Sequence, residues 1–526
     1  WVPSLPGRGS PCGWRDPQGR GRPPSERALT RHLSWAAARK AAWKGKMREV
    51  EVGGHPVLLL RDHLRFLAVG SRCPHAGAPL CKGYFKGGRL RCPWHGACFS
   101  TETGDIEEYP TLDCLPAFQV STSPDLESGR RVKPMSKRCQ LNPQTVLLLG
   151  AGPAALTCAE TLRQEGFTGR VILATAEEHL PYDRTKLSKE MDAKAERLYL
   201  RPRSFLDAFG IEVWMRKEVG GGRGAGMNRG ASAPLVHSPR QLQCPGSALQ
   251  NVCVLLTPED AGRILRLSTG KRAVIVGASF IGMEVAASLS GRAASIHVVE
   301  RDPLPYCAAL GEQVGSVAMK VRSPRCLARD RPAWSCKWTR GILGLGSGGR
   351  PTGQGQGPPA SPPVPLWTSR LFSPQGMRTS SPSVFAAGDV TSFPVALLEG
   401  KSAPIRHWQV AQAHGHVAAL SILQKPRELH TVPYFWTKLR GKSIRYAGCG
   451  IGYTETVLKG DLDQERFLLF YVRDGTVTAA ASLNFDPMVS VVAEALYAGR
   501  PIRKEEGRGP DSKFLPGPGS DPAVSG

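Results

Sequence analysis

A multidomain fold is predicted for this chain: a small all-β domain, then an α/β region built on two dinucleotide-binding units, then an α+β C-terminal domain. Three observations carry that reading. Residues 46–135 hold short β-rich runs, such as Val57–Leu60 and Phe66–Val69, with Gly-rich turns between them. A strand–glycine turn–helix pattern opens at Thr145 (TVLLLGAGPAALTCAETLRQEGF) and recurs at Arg272 (RAVIVGASFIGMEVAASLSG), each followed by a further strand. A β-rich segment over about 431–500 closes the patterned part.

With 526 residues there is room for three or four domains, each with its own core. Residues 1–45 read as a basic leader, 46–135 as the β domain, 140–250 as the first nucleotide half, and 251–340 as the second. Within these, 220–247 has no periodicity and the pattern lapses after 322. Residues 341–378 form a Gly/Pro-rich insert, which offers too little apolar surface for a core. Order returns over 379–425, the C-terminal domain spans 426–505, and 506–526 read as a disordered tail.

The formal charge of +25 suggests an acidic partner, but its distribution argues otherwise. Segments 1–45, 221–250 and 323–378 carry +7, +3 and +7, all outside the folding pattern. No reading helix accompanies them, so nucleic acid is not expected as a partner. No apolar run reaches the roughly 18 residues of a membrane span. The fourteen cysteines include no Cys-x-x-Cys or Cys-x4-Cys pair, which excludes a redox disulfide beside a flavin and suits a reducing compartment. The chain begins at Trp1, which reads as a fragment or a conceptual translation. Residues 25–43 are Arg-rich, acid-poor and weakly amphipathic, which suits a mitochondrial presequence or an arbitrary basic stretch. The expected location is the mitochondrion or the cytoplasm.

The β domain carries the strongest chemical signal. Cys73-x-His75 is followed, after sixteen intervening residues, by Cys92-x-x-His95, two mixed pairs in Gly/Pro-flanked loops. Two thiolates on one iron and two imidazoles on the other make a Rieske-type [2Fe–2S] centre. A tetrahedral zinc site is the competing reading, although zinc fingers usually place their cysteine pair before their histidine pair. CPHAGAPL…RCPWHGACFSTETGD resembles Rieske ferredoxins of the dioxygenase type. Trp94, Ala97 and Phe99 stand where respiratory Rieske proteins typically have Cys, Ser and Tyr. Without those hydrogen-bond donors, a potential near the bottom of the roughly −150 to +300 mV Rieske range is expected.

In the first α/β unit, Gly150 permits a tight turn and Gly152 lets backbone approach a pyrophosphate, with Ala155 completing the pattern. Glu177, past the second strand, can accept ribose hydroxyls. In the second unit, Gly277-Ala-Ser279-Phe-Ile-Gly282 has Ser at the middle glycine position, which weakens pyrophosphate binding without excluding it. Glu300 lies 23 residues after Gly277. An acid there bonds the adenosine ribose and repels a 2′-phosphate, so NADH is expected over NADPH.

HLPYDRTKLSK (179–189), VFAAGDV (384–390) and HWQVAQAHG (407–415) resemble FAD-dependent ferredoxin reductases. That resemblance implies FAD, with Arg184 and Lys189 against the flavin and Gly388 and Asp389 at its ribityl chain. It also implies Trp408 near the ring and a Glu284–Lys189 pair holding the nicotinamide face. Thr185 and Lys186 depart from the prolines of that pattern. The whole order resembles the apoptosis-inducing factor 3-like flavoproteins, whose N-terminal Rieske domain precedes the reductase, over roughly 46–219, 248–322 and 379–505. Segments 220–247 and 323–378 depart from the family, as intron-like translation or aberrant splicing would produce, and should leave apolar sheet surface uncovered.

The resemblance implies an NADH-dependent FAD oxidoreductase passing electrons singly to its own cluster and on to an unknown acceptor. A pro-apoptotic signalling protein with structural cofactors and an inactive product are the alternatives, and a homodimer is left open.

Overall fold

The computed structural model describes residues 46–118, 130–217, 242–320 and 376–508, save a few single positions, and the backbone of Lys337–Arg340. The basic leader, most of 220–247 and 323–378, and the tail beyond Arg508 lie outside the described residues, and with them the presequence.

The β domain is two small antiparallel sheets. β1 (Met47–Val52), β2 (His55–Asp62), β3 (Arg65–Gly70) and β8 (Ala117–Phe118) pair in that order, and β4 (Tyr84–Lys86), β5 (Arg89–Arg91), β6 (Cys98–Ser100) and β7 (Ile106–Glu108) make the second sheet. Leu58, Leu60, Val69, Leu90 and Phe99 meet between them in a dry core. Burying each such side chain favours folding by about 1.5–3 kcal/mol. The first Cys/His loop follows β3, and the second bridges β5 and β6.

The first α/β unit sets β9 (Thr145–Leu149), β10 (Arg170–Ala174) and β11 (Ile211–Trp214) in a parallel sheet of order β11-β10-β9. Helix α1 (Pro153–Gln164) follows β9, with Pro153 at a first-turn position that needs no N–H. The second unit is β12 (Arg272–Val276), α2 (Phe280–Leu289) and β13 (Ser295–Glu300). The backbone of β14 (Lys337–Arg340) pairs with β13 as a third parallel strand.

Both parallel sheets keep an open apolar face, as expected of sheets whose neighbouring segments have lost their pattern. Leu147 is 51% exposed, Val274 64% and Val276 50%.

β15 (Phe393–Pro394) and β16 (Ser402–Ala403) form a short pair before helix α3 (Trp408–Ile422). That helix lies on α1 so closely that a Cβ on Gly415 would sit 2.1 Å from the Ala154 carbonyl oxygen. Met377 is buried in the same core.

The C-terminal domain is a five-stranded antiparallel sheet of β17 (Tyr434–Leu439), β18 (Lys442–Gly448), β19 (Glu455–Asp461), β20 (Arg466–Arg473) and β21 (Thr476–Leu483), ordered β17-β18-β21-β20-β19. Helix α4 (Met488–Tyr497) buries Val489, Val492 and Ala493 in the adjoining core. A last helix, α5 (Lys504–Arg508), enters the predicted tail; the Glu506 carboxylate accepts from Arg503 N–H, and a Cβ on Gly507 would sit 3.3 Å from Phe470.

Two buried ion clusters tie the β domain to the rest. Arg201 bridges Asp113 of the β domain (2.6 Å) and Glu160 of α1 (2.9 Å). Arg91, 1% exposed, donates to Glu494 of α4 (2.8 Å) and to Glu108, while Arg89 reaches the same two carboxylates.

Candidate metal centre and dinucleotide sites

Both ligand loops are closed by backbone. Cys73 N–H donates to Ala78 O at 2.9 Å, and Cys92 N–H to Ala97 O at 2.8 Å. Gly77 and Gly96 each turn with φ near +75°, where a side chain would be strained. The result gathers four donors as two pairs. The Cys73 and Cys92 sulfurs are close enough to share a proton, and the Nδ1 atoms of His75 and His95 face each other at 3.0 Å.

Burial and the Cys73–Cys92 hydrogen bond set the protonation of these groups, holding the Cys73 thiol well above its ordinary range while Cys92 falls below it. Burial pushes the His75 imidazole down to about 4 and His95 well below its usual value, so both are neutral near pH 7. Burial pushes the Cys92 thiol up. The hydrogen bond from Cys73, the His95 and Trp94 amides and the Arg445 charge outweigh that and hold it below the ordinary thiol range. Neutral imidazole and thiolate are the forms that bind metal. Among the described residues, no three His, Cys, Asp or Glu gather as a single-metal site. Sulfur paired with sulfur and nitrogen with nitrogen instead suits two irons holding one pair each, and the residues fit the cluster.

The C-terminal domain covers the centre. Trp436 of β17 lies with its ring centroid 4.1 Å from that of His95 and 5.6 Å from that of His75. Ser490 Oγ of α4 donates to Cys92 O at 3.0 Å, Arg445 Nε of β18 donates to Trp94 O at 3.0 Å, and Arg91 Nη1 donates to Gly96 O at 2.9 Å. The Tyr434 ring lies against Gly96, where an added Cβ would come within 2.5 Å of it. Ala97 and Phe99 are fully buried and offer no hydroxyl.

The centre also neighbours the segment predicted to hold the flavin. Asp183 and Lys186 act on His75 through their charges, and Lys189 on His95. Lys189 Nζ donates to Glu284 at 2.7 Å, the pair expected from sequence. Glu284, 5% exposed, also accepts from Ser188 Oγ (2.5 Å) and Thr437 Oγ1 (2.8 Å). One carboxylate therefore joins the flavin segment, α2 and β17.

The glycine turns are open. Among the described residues, Gly150 (φ +98°) and Gly152 have no atom within 4 Å of where a Cβ would be, leaving room for a pyrophosphate; Ala155 is half-buried behind them. Glu177 accepts from Tyr182 OH at 2.7 Å and pairs with Arg184, a partnership the sequence did not suggest. Gly388 (φ +86°) donates its N–H to His414 Nδ1 at 3.2 Å, Asp389 follows on the surface, and half-buried Trp408 opens α3. In the second unit Gly277 turns at φ +102°, and a Cβ on Gly282 would sit 2.0 Å from its carbonyl oxygen. Glu300 accepts the Ala278 N–H at 2.6 Å and the Arg301 N–H at 2.7 Å. Burial pushes its carboxyl up, but the Ala278, Arg301 and Asp302 amides and the Arg301 charge hold it below the usual range, so it stays ionised.

Sequence reasoning missed Trp436, Arg445, Ser490 and the Arg91–Glu108–Glu494 cluster. The aromatic run Tyr434-Phe-Trp436 was the one visible signal.

A Rieske [2Fe-2S] domain model matches residues 33–119, a pyridine nucleotide-disulphide oxidoreductase model matches 144–223 and 230–324, and a reductase C-terminal model matches 434–513. The chain is 42% identical over 518 residues to apoptosis-inducing factor 3 of Mus musculus and to that of Homo sapiens, covering 88% of this chain and 83% of each relative. Among solved structures, a ferredoxin reductase from Rhodopseudomonas palustris superposes with a TM-score of 0.54 at 20% identity, over 70% of this chain and 98% of that one. The covalent putidaredoxin reductase–putidaredoxin complex gives 0.55 at 18% identity, over 71% and 97%.

Proposed function

Because the chain belongs to the apoptosis-inducing factor 3 family of Rieske-containing, NAD(P)H-dependent flavoprotein oxidoreductases, we propose that it passes electrons from NADH through FAD to its own cluster. Cys73, His75, Cys92 and His95 hold the cluster in this reading. Gly150, Gly152, Ala155, Glu177, Arg184, Gly388, Asp389 and Trp408 line the FAD site, and Gly277, Gly282 and Glu300 the NADH site. When bound, FAD accepts a hydride from NADH and hands electrons on one at a time.

The chain's residues position and shield these groups. Lys189, fixed by Glu284, provides a positive charge beside both the flavin segment and His95. The observation that carries the reading is Trp436, whose ring lies tilted against His95 with centroids 4.1 Å apart. This contact puts the centre against the reductase and removes the need for a diffusing ferredoxin. An unidentified acceptor takes the electrons onward.

Anaerobic stopped-flow with NADH tests this. Cluster bleaching should follow flavin reduction at a rate independent of protein concentration. A rate that climbs in proportion to concentration would mean transfer between molecules and would defeat the proposal.

The relatives' name supports a second reading, promotion of apoptosis, and the Arg-rich stretch 25–43 is what favours a mitochondrial location. Expression of wild type and Cys92→Ser in cultured cells, scored for death and organelle, tests it; no death with either protein would count against it.

A further inference from the structure

The second ligand loop finds its polar partners in another domain. Arg445 stands on β18 with its side chain one-tenth exposed. Its Nε donates to Trp94 O at 3.0 Å, midway along Cys92-Pro-Trp-His95, and its Nη1 pairs with Asp486 Oδ1 at 2.8 Å. Its charge reaches both Cys92 and His95, one residue from each ligand pair. Asp486 is a third exposed, so water shares in screening that counter-charge. Within the β domain itself, the positions that could have donated to the cluster hold Ala97 and Phe99, both sealed from solvent.

We propose that Arg445 sets the reduction potential of the Rieske centre, as a fixed positive charge supplied by the C-terminal domain in place of hydroxyl donors inside the β domain. Reduction adds one negative charge to the cluster. A buried cation against the ligand loop stabilises that charge more strongly than solvent would, so the potential rises. Asp486 opposes the effect by partly neutralising the guanidinium.

Because the cation belongs to the other domain, docking and reduction are thermodynamically coupled. Whatever factor docking adds to the affinity for the electron, reduction adds to the affinity for docking. An oxidised centre is therefore held less firmly than a reduced one.

The inference rests on ligation by Cys73, His75, Cys92 and His95, and the test separates the two. Full-length holoprotein is titrated electrochemically with EPR detection, as wild type, Arg445→Met, Arg445→Lys and Asp486→Asn. Arg445→Met should lower the midpoint by about a tenfold change in the reduced-to-oxidised ratio, about 59 mV for one electron. Arg445→Lys should keep most of the wild-type potential, and Asp486→Asn should raise it, with the g values of all four unchanged.

No Rieske signal in the wild-type protein would overturn the ligation itself. A wild-type signal with midpoints unmoved in Arg445→Met and Asp486→Asn would overturn the role of Arg445. A fall in Asp486→Asn would also overturn it, because a loosened loop and not a changed field gives that sign. Should Arg445→Met fail to load its cluster, a raised midpoint in Asp486→Asn with a near-normal one in Arg445→Lys upholds the proposal, and any other pair of results rejects it.

Discussion

Glu284 accepts from Ser188 and Lys189 on one side and from Thr437 on the other, nearly out of reach of water. Truncating it leaves two hydroxyls without their acceptor and a half-buried ammonium with only the Thr185 carbonyl, and such groups are expensive to strand. Glu284→Ala should therefore cost about 2–4 kcal/mol of stability by thermal or chemical denaturation. A loss near zero would mean that water replaces the carboxylate. The Lys189–Glu284 pair was legible because both residues sit in recognisable motifs. Trp436 and Arg445 were not, since their importance comes from contact with a loop more than 340 positions away in sequence. No local pattern encodes such a contact.

At the scale of elements, helix α3 buries His414 and half-buries His416 and, at its N-cap, His407, and loss of water pushes each imidazole down to about 4. Among the described residues, His407 Nδ1 and His414 Nε2 have no hydrogen-bond partner. Unfolded imidazoles titrate near 6.5. Between about pH 6.5 and 4 the unfolded chain thus binds protons that the folded one refuses, and stability falls as pH falls through that window, by up to about 1.4 kcal/mol per pH unit for each group. The melting temperature should drop between pH 7 and 5, and less steeply in His414→Gln; equal slopes would show that this histidine contributes nothing.

The strand–turn–helix units were readable from apolar periodicity and glycine placement. β14 and α5 were not, being four and five residues long within stretches of weak pattern. The open faces of Leu147, Val274 and Val276 follow from the same reading, because each strand keeps the two-sided apolar pattern of a covered sheet.

For the whole molecule, the arrangement of domains matters more than any one of them. Arg91, Arg89, Glu108 and Glu494 lock the β domain onto α4, and Arg201 locks it onto α1. Removing one partner of a buried pair leaves its mate charged and dry. Glu494→Leu should slow NADH-driven cluster reduction at least about tenfold while flavin reduction keeps its rate, because effective concentration is lost and chemistry is not. Rapid-mixing absorbance at flavin and cluster wavelengths would check this, and unchanged cluster kinetics would show the lock to be dispensable. The domain order was plain in the sequence; the closeness of the domains was not.

The buried guanidinium of Arg91 carries a further consequence. It is satisfied jointly by Glu108 of its own module and Glu494 of another, and its neighbour Gly96 fits only because Tyr434 leaves no more space than a hydrogen needs. The two modules have therefore lost their freedom to vary separately. Grafting the electron-carrier module of a free-standing system onto this reductase would bring a mismatched surface to a dry, charged seam. Such a chimera could be rescued by exchanging the facing residues together, never singly. Fusion here has closed the seam between carrier and reductase with residues drawn from both.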